Sequence, residues 1–185
     1  MQSETLPLHP KIDCWRKAYT KFGGKPKDNL SSIENLCRMT LKGGDLRPIS
    51  PLVDLYNLIS LKYLIPVGGE DLDKISGDIQ LTFANETESP VSLLGEKDER
   101  PPHCGEVIYK DNLSAICRRW NWKEADRTKL VAQTKNCILV LEGLPPTTWE
   151  EIVLATKELA DLVQKHCGGA VSSTIIDQNN QKLDF

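Results

Sequence analysis

No surplus of positive charge marks this chain. Twenty-three lysines and arginines stand against 26 aspartates and glutamates, a net charge of −3. A domain that works mainly by clamping a polyanion is excluded, although a local basic patch is not. No run of about 18 apolar residues is present, so no membrane span is expected. The opening MQSETLPLHP has neither a basic stretch nor an apolar one, so it does not read as a secretory signal. The six cysteines form no C-x-x-C pair, and the expectation is six reduced thiols in a cytoplasmic protein. There is no G-x-S-x-G elbow, no P-loop and no G-x-G-x-x-G. The usual serine-esterase, nucleotide-triphosphate and dinucleotide chemistries therefore lack their signatures. Only three histidines occur, and the dipeptides His103-Cys104 and His166-Cys167 have no further ligand spacing to support a zinc site. No cofactor is expected.

What is present is ordinary globular composition, with 39% hydrophobic and 26% charged residues. A chain of 185 residues is about one domain, long enough to bury around 70% of its unfolded surface without a disulfide or metal. Pro10 and Gly23-Gly24 bracket a helix whose Ile12, Trp15, Tyr19 and Phe22 share one face. Ser31 with Glu34 predicts a capping box for a second helix, 31–42, stopped by Gly43-Gly44. In PISPLVDLYNLISLKYLIP, Ser50 caps, Pro51 opens and Pro66 closes a third. Its apolar residues surround it, which predicts burial. Ser50, Asp54 and Asn57 form a polar stripe along it.

The periodicity then changes to two. Strands are expected at 78–84, 90–94, 106–109, 113–118 and 136–141, with CILVL (137–141) central in its sheet. A last helix, 149–166, carries the capping box Thr148–Glu151, and 171–176 is a candidate edge strand. Helices first, then strands, then a helix reads as α+β, with mixed or antiparallel sheets. The predicted organisation is a tail at 1–9, one domain at 10–176 and a tail at 177–185.

Two stretches hold most of the candidate chemistry. CRRWNWKEADRT packs Arg118, Arg119, Trp120, Asn121 and Trp122 together. Either the arginine forks bind an anion beside stacking indoles, or the tryptophans are core and the arginines pair with Asp111, Glu124 or Asp126. GGEDLDKISGDIQL collects Glu70, Asp71, Asp73 and Asp78. Its spacing is not that of an EF-hand, and a capped turn is the simpler reading.

The segment RPISPLVDLYNLISLKYLIPVGGEDLDKISGDIQL, with GEVIYKD, CRRWNWKEADRTKL and TKNCILVLEGLPP after it, resembles the editing module of the bacterial phenylalanyl-tRNA synthetase β subunit (its third and fourth domains). It is also similar to free-standing relatives of that module, and the resemblance spans residues 10–169. The resemblance implies an α+β fold with no synthetase active site. It implies hydrolysis of tyrosine wrongly attached to the phenylalanine tRNA, with water as nucleophile in a pocket between two domains. Asn57 matches the asparagine of the pocket helix, Gly68 stands where the family has a histidine, and Glu142 is the nearest counterpart of the acid that reads the tyrosine hydroxyl. The expected function is a trans-acting aminoacyl-tRNA deacylase. The alternative is a non-catalytic module that binds RNA, tRNA, an amino acid or a nucleotide. Expected binding residues are Ser50, Asp54, Asn57, Arg118, Arg119, Trp120, Asn121 and Glu142. The expected partner is the aminoacylated acceptor end of tRNA, with neither DNA nor a membrane, and the chain is expected as a monomer or weak homodimer.

Overall fold

The computed structural model describes residues 2–43, 46 and 48–184. Gly44 and Arg47, named above in a helix stop and at the head of the resembling segment, lie outside the described residues. Three helices lead: α1 (Pro10–Lys21), α2 (Ser32–Leu41) and α3 (Pro51–Tyr63). Ser31 Oγ accepts the Glu34 N–H, but the glutamate does not return the bond to complete a capping box. Its carboxylate, fully buried, instead accepts from Arg16 Nη1 (2.8 and 2.9 Å) and from Arg38 Nε (3.0 Å) and Nη2 (2.8 Å). A long-range ion pair thus ties α1 to α2. The box at α4 (Trp149–His166) is complete in both directions.

Ser50 and Pro51 start α3 as expected. The helix is not buried all round: Leu58 is 52% exposed, and Asp54 faces solvent. Only Val53, Ile59 and Ser60 are fully covered, the last two against α4 and the strand that follows. The end of α3 is sealed by Leu64, left-handed at φ 54°, and by Ser60 Oγ donating to the Ile65 carbonyl at 2.6 Å.

Eight short strands follow: β1 (Val67–Asp71), β2 (Gln80–Phe83), β3 (Val91–Ser92), β4 (Glu99–Arg100), β5 (Val107–Lys110), β6 (Ala115–Arg118), β7 (Lys123–Glu124) and β8 (Cys137–Leu141). All pairings are antiparallel. They form a four-stranded sheet in the order β2-β5-β6-β7, a β3-β4 pair, and a β1-β8 ribbon. The architecture is α+β, as the sequence predicts. CILVL is not a central strand, because among the described residues β8 has β1 as its one strand partner. Its double-sided apolarity has another cause: Leu139 and Leu141 pack under α3 and α4, and Ile138 and Val140 face the other way. Residues 171–176 lie in no sheet, with Val171 and Ile176 exposed. Nothing in that segment buries enough surface to hold an edge strand.

Residues 2–9 include a packed turn. Leu6 sits in a 3₁₀ turn, 0% exposed, in a core with Ile12, Trp15, Tyr19, Ile33 and Cys37. Leu6→Ala is expected to destabilise the protein by about 2–5 kcal/mol, as buried leucine truncations do. The urea midpoint measures it, and an unchanged midpoint would refute the packing. Among the described residues, no helix is long and apolar enough to cross a membrane.

Candidate functional site

The β1-β8 ribbon has two faces with different chemistry. Pairing sets Gly68 opposite Val140 and Glu70 opposite Ile138, and the Glu142 N–H extends the ladder to the Pro66 carbonyl. Alternation therefore puts Gly68, Glu70, Ile138, Val140 and Glu142 on one face. In the four-stranded sheet, Tyr109 lies opposite Cys117 and Cys117 opposite Glu124, so these three form one row across it. The row meets the ribbon face. Tyr109 Oη donates to Glu142 Oε1 at 2.7 Å, and Glu124 Oε1 accepts the Gly69 N–H at 3.4 Å.

Where the two sheets meet, acids stand on both sides: Glu70 and Glu142 on the ribbon, Glu124 on the four-stranded sheet. A Cβ placed on Gly68 would stand 3.1 Å from Glu124 Oε1 and meet nothing else within 4 Å. The space in front of Gly68 is bounded by that carboxylate. Ile138, Val140 and Glu124 are half-buried. Glu70 is 7% exposed and its carboxyl lies beside the buried Thr128 hydroxyl; among the described residues neither Glu70 Oε2 nor Thr128 Oγ1 has another partner. A buried polar atom without a partner is uncommon and marks a place where a ligand, water or proton belongs.

The electrostatics follow from this arrangement. Burial holds the Glu70 carboxyl far above the usual carboxylate range, and the charge of Glu124 adds to the effect. Burial also raises Glu124, with the Gly69 N–H bond opposing. No lysine or arginine is paired with either carboxylate among the described residues. Two neighbouring carboxyls raised in this way can hold one proton between them near neutral pH. Burial pushes Tyr56 of α3 up as well, with the charges of Glu124 and Glu70 contributing. The fully buried Cys117 thiol is raised by burial and by Glu124, Glu70 and Glu142, so it is not a thiolate nucleophile.

The residues expected from sequence are divided by the fold. Glu142 and Asn121 do meet, with Asn121 Nδ2 donating to Glu142 Oε2 at 2.6 Å and Tyr19 Oη donating to Asn121 Oδ1 at 2.8 Å. Both Glu142 oxygens are engaged in this network, deep between the sheets. Trp120 packs edge-on against Trp15, with ring centroids 5.1 Å apart. Arg118 is on the opposite sheet face from Cys117 and does not reach the acid pair. It is 4% exposed, and its fork closes on Glu106 with two bonds of 2.8 Å. Of the two readings of this cluster, the packed one describes Trp120 and Arg118, with Glu106 as the partner in place of Asp111, Glu124 or Asp126. Ser50 and Asp54 serve the start of α3: Ser50 Oγ accepts the Val53 N–H and Asp54 Oδ1 the Ile49 N–H. Asn57 is half-buried on the same helix as Tyr56. Arg119 lines a separate cleft described below.

The residues that sequence reasoning missed are Glu70, Glu124, Tyr56, Tyr109 and Cys117. One signal was available: the two-residue spacing of Ile138, Val140 and Glu142 assigns them one face. Nothing local reveals that Glu70 and Glu124, 54 positions apart, face each other. In GGEDLDKI the turn reading describes Asp71, whose carboxylate accepts the Asp73 N–H at 3.1 Å, but Glu70 belongs to β1.

Comparison with known proteins bears on this geometry. A family model described as the B3/4 domain matches residues 14–168. The phenylalanine–tRNA ligase beta subunit of Fusobacterium nucleatum subsp. nucleatum is 26% identical over 159 residues, which cover 84% of this chain and 19% of that protein. The chain thus spans about a fifth of the length of this curated relative.

Proposed function

The chain belongs to the B3/4 domain family, and from that premise we propose that it hydrolyses the ester of a wrongly charged tRNA where its two sheets meet. The observation that carries this reading is the glycine at position 68, where a side chain would meet the Glu124 carboxylate, with the buried Glu70 carboxyl on the same ribbon face. A water there has a base beside it. As the water oxygen bonds to the ester carbonyl carbon, its proton passes to the Glu124 carboxylate. Glu70 keeps the shared proton and donates a hydrogen bond to the developing oxyanion. The bond from carbon to the ribose oxygen then breaks, and Glu124 returns its proton to the departing hydroxyl. The products are a free amino acid and an uncharged tRNA.

The tRNA in this reading rests on kinship with a tRNA ligase subunit. The ester rests on the chemistry of the acid pair. Aminoacyl esters are activated, so an oriented water and one base are sufficient. The test is a panel of misacylated tRNAs, including tyrosyl-tRNA for phenylalanine, incubated with purified protein. Loss of ester from at least one of them, abolished by Glu124→Gln, is the expected result. Binding without ester loss from any member would select the non-catalytic module instead.

A further inference from the structure

A concavity of about 430 Å³ lies on the Glu106 side of the β6–β7 hairpin. It is lined by the turn after α1, including Gly23, Gly24, Lys25 and Asp28, and on the other wall by His103 and Arg119. Arg119 is held there by an unusual backbone. It and Trp120 are consecutive non-glycine residues in the left-handed region, at φ 47° and 68°. Such conformations are strained and persist only where the surroundings enforce them. Here the Trp120 N–H bond to the Val107 carbonyl, at 2.7 Å, and the packing of Trp120 on Trp15 do so. The Arg119 side chain is only 13% exposed, its Cζ lying 4.4 Å from the Trp122 ring centroid.

The guanidinium is left without an acceptor. Glu106 is the nearest acid, but its oxygens already take the Arg118 fork and the N–H groups of Arg119 and His103. Arg119 Nε approaches Glu106 Oε2 no closer than 3.8 Å, and among the described residues the guanidinium makes no hydrogen bond. Burial lowers its pKa, with the charge of Glu106 opposing and that of Arg118 adding to the effect. Lys25, exposed, is in no ion pair among the described residues. With Glu106 matched by Arg118, the remaining charges are Arg119 and Lys25 against Asp28.

The geometry points to a phosphate site in this cleft, with the Arg119 fork as the principal contact and Lys25 as the second charge. Arginine matches phosphate oxygens in bidentate geometry, and lysine adds a point charge. A cavity of this size admits a whole nucleotide. The phosphate then comes either from a free nucleotide or from an RNA backbone. This site shares no lining residue with the acid pair, so it stands whether or not the chain hydrolyses esters.

Amide NMR titration of the intact protein tests it, with inorganic phosphate, AMP and an uncharged oligoribonucleotide ending in CCA as probes. Saturable shifts are expected at Gly23, Gly24 and His103. Arg119→Gln should weaken binding at least tenfold. Lys25→Ala, in an exposed turn, should weaken it severalfold without touching the core. Asp28→Asn should tighten it. Tighter binding of the oligonucleotide than of AMP would assign the phosphate to RNA, and equal binding would assign it to a free nucleotide. The proposal is overturned by the absence of saturable shifts with all three probes. It is equally overturned by shifts that Arg119→Gln and Lys25→Ala leave unchanged.

Discussion

Glu124→Gln is expected to slow ester hydrolysis by about 10²–10⁴-fold, the usual contribution of a positioned general base. The amide preserves the shape beside Gly68 and still faces the Gly69 N–H, so affinity for the charged tRNA should change little and the loss should fall on kcat. The pH dependence makes the prediction specific. Both carboxyls lie above the ordinary range through burial, so the wild-type rate should rise near neutrality as the pair loses its first proton. It should fall at higher pH as the second leaves and Glu70 can no longer donate. These limbs belong to the pair and not to either residue. Glu70→Gln, which keeps a donor, should remove the alkaline limb. The same raised values bear on stability. A carboxyl whose folded pKa is raised binds its proton more tightly when folded, so stability falls as pH rises from the unfolded value through the folded one. Glu70→Gln should therefore flatten the alkaline loss of stability seen in urea midpoints.

Arg118→Ala is expected to cost about 3–5 kcal/mol of folding stability, because it strands a buried carboxylate without its partner. Glu106 is 2% exposed and accepts both Arg118 bonds as well as the Arg119 and His103 amides. Burial alone would push its carboxyl up, but the Arg118 hydrogen bonds and charge more than offset this and leave it below the usual range. A depressed carboxyl contributes stability that is present above its unfolded pKa and is lost as pH falls through the folded one. Removing Arg118 reverses the sign, since Glu106 then gains by protonating. The deficit of the variant should accordingly be largest at neutral pH and shrink in acid. The double variant Arg118→Met with Glu106→Gln should cost less than the single one. Urea midpoints at neutral and acidic pH measure all three proteins. A single variant near wild-type stability would mean that the arginine is free for another task.

The helices were legible because their signals are local. Ser50 with Pro51, and Thr148 with Glu151, cap the helices where a reader of sequence would place them. The strand β1 was not legible, since VGGED reads as a turn. It becomes a strand through β8, some 70 positions later, and through Gly69, where a Cβ would fall 2.6 Å from Leu139 and 2.9 Å from Leu130. The buried charges were also hidden. Glu34 looks like half of a capping box, and only the fold shows Arg16 reaching it from α1. Arg118 looks like a free anion binder until Glu106 is brought beneath it. The resembling motifs led to the β1-β8 ribbon, with Gly68 and Glu142 on one face, but Glu142 is enclosed by Tyr109 and Asn121. The acid that borders Gly68 is Glu124, which in the sequence is one more charge in a charged loop.

A ¹³C NMR titration of the glutamate side-chain carboxyls would test the acid pair without any substrate. The shared-proton account predicts two resonances, assigned by Glu70→Gln and Glu124→Gln, that titrate well above the other glutamates. Removing either partner should move the survivor's titration downward. If Glu70 and Glu124 both titrate with the exposed glutamates, and neither substitution shifts the other, the pair holds no shared proton and no poised base.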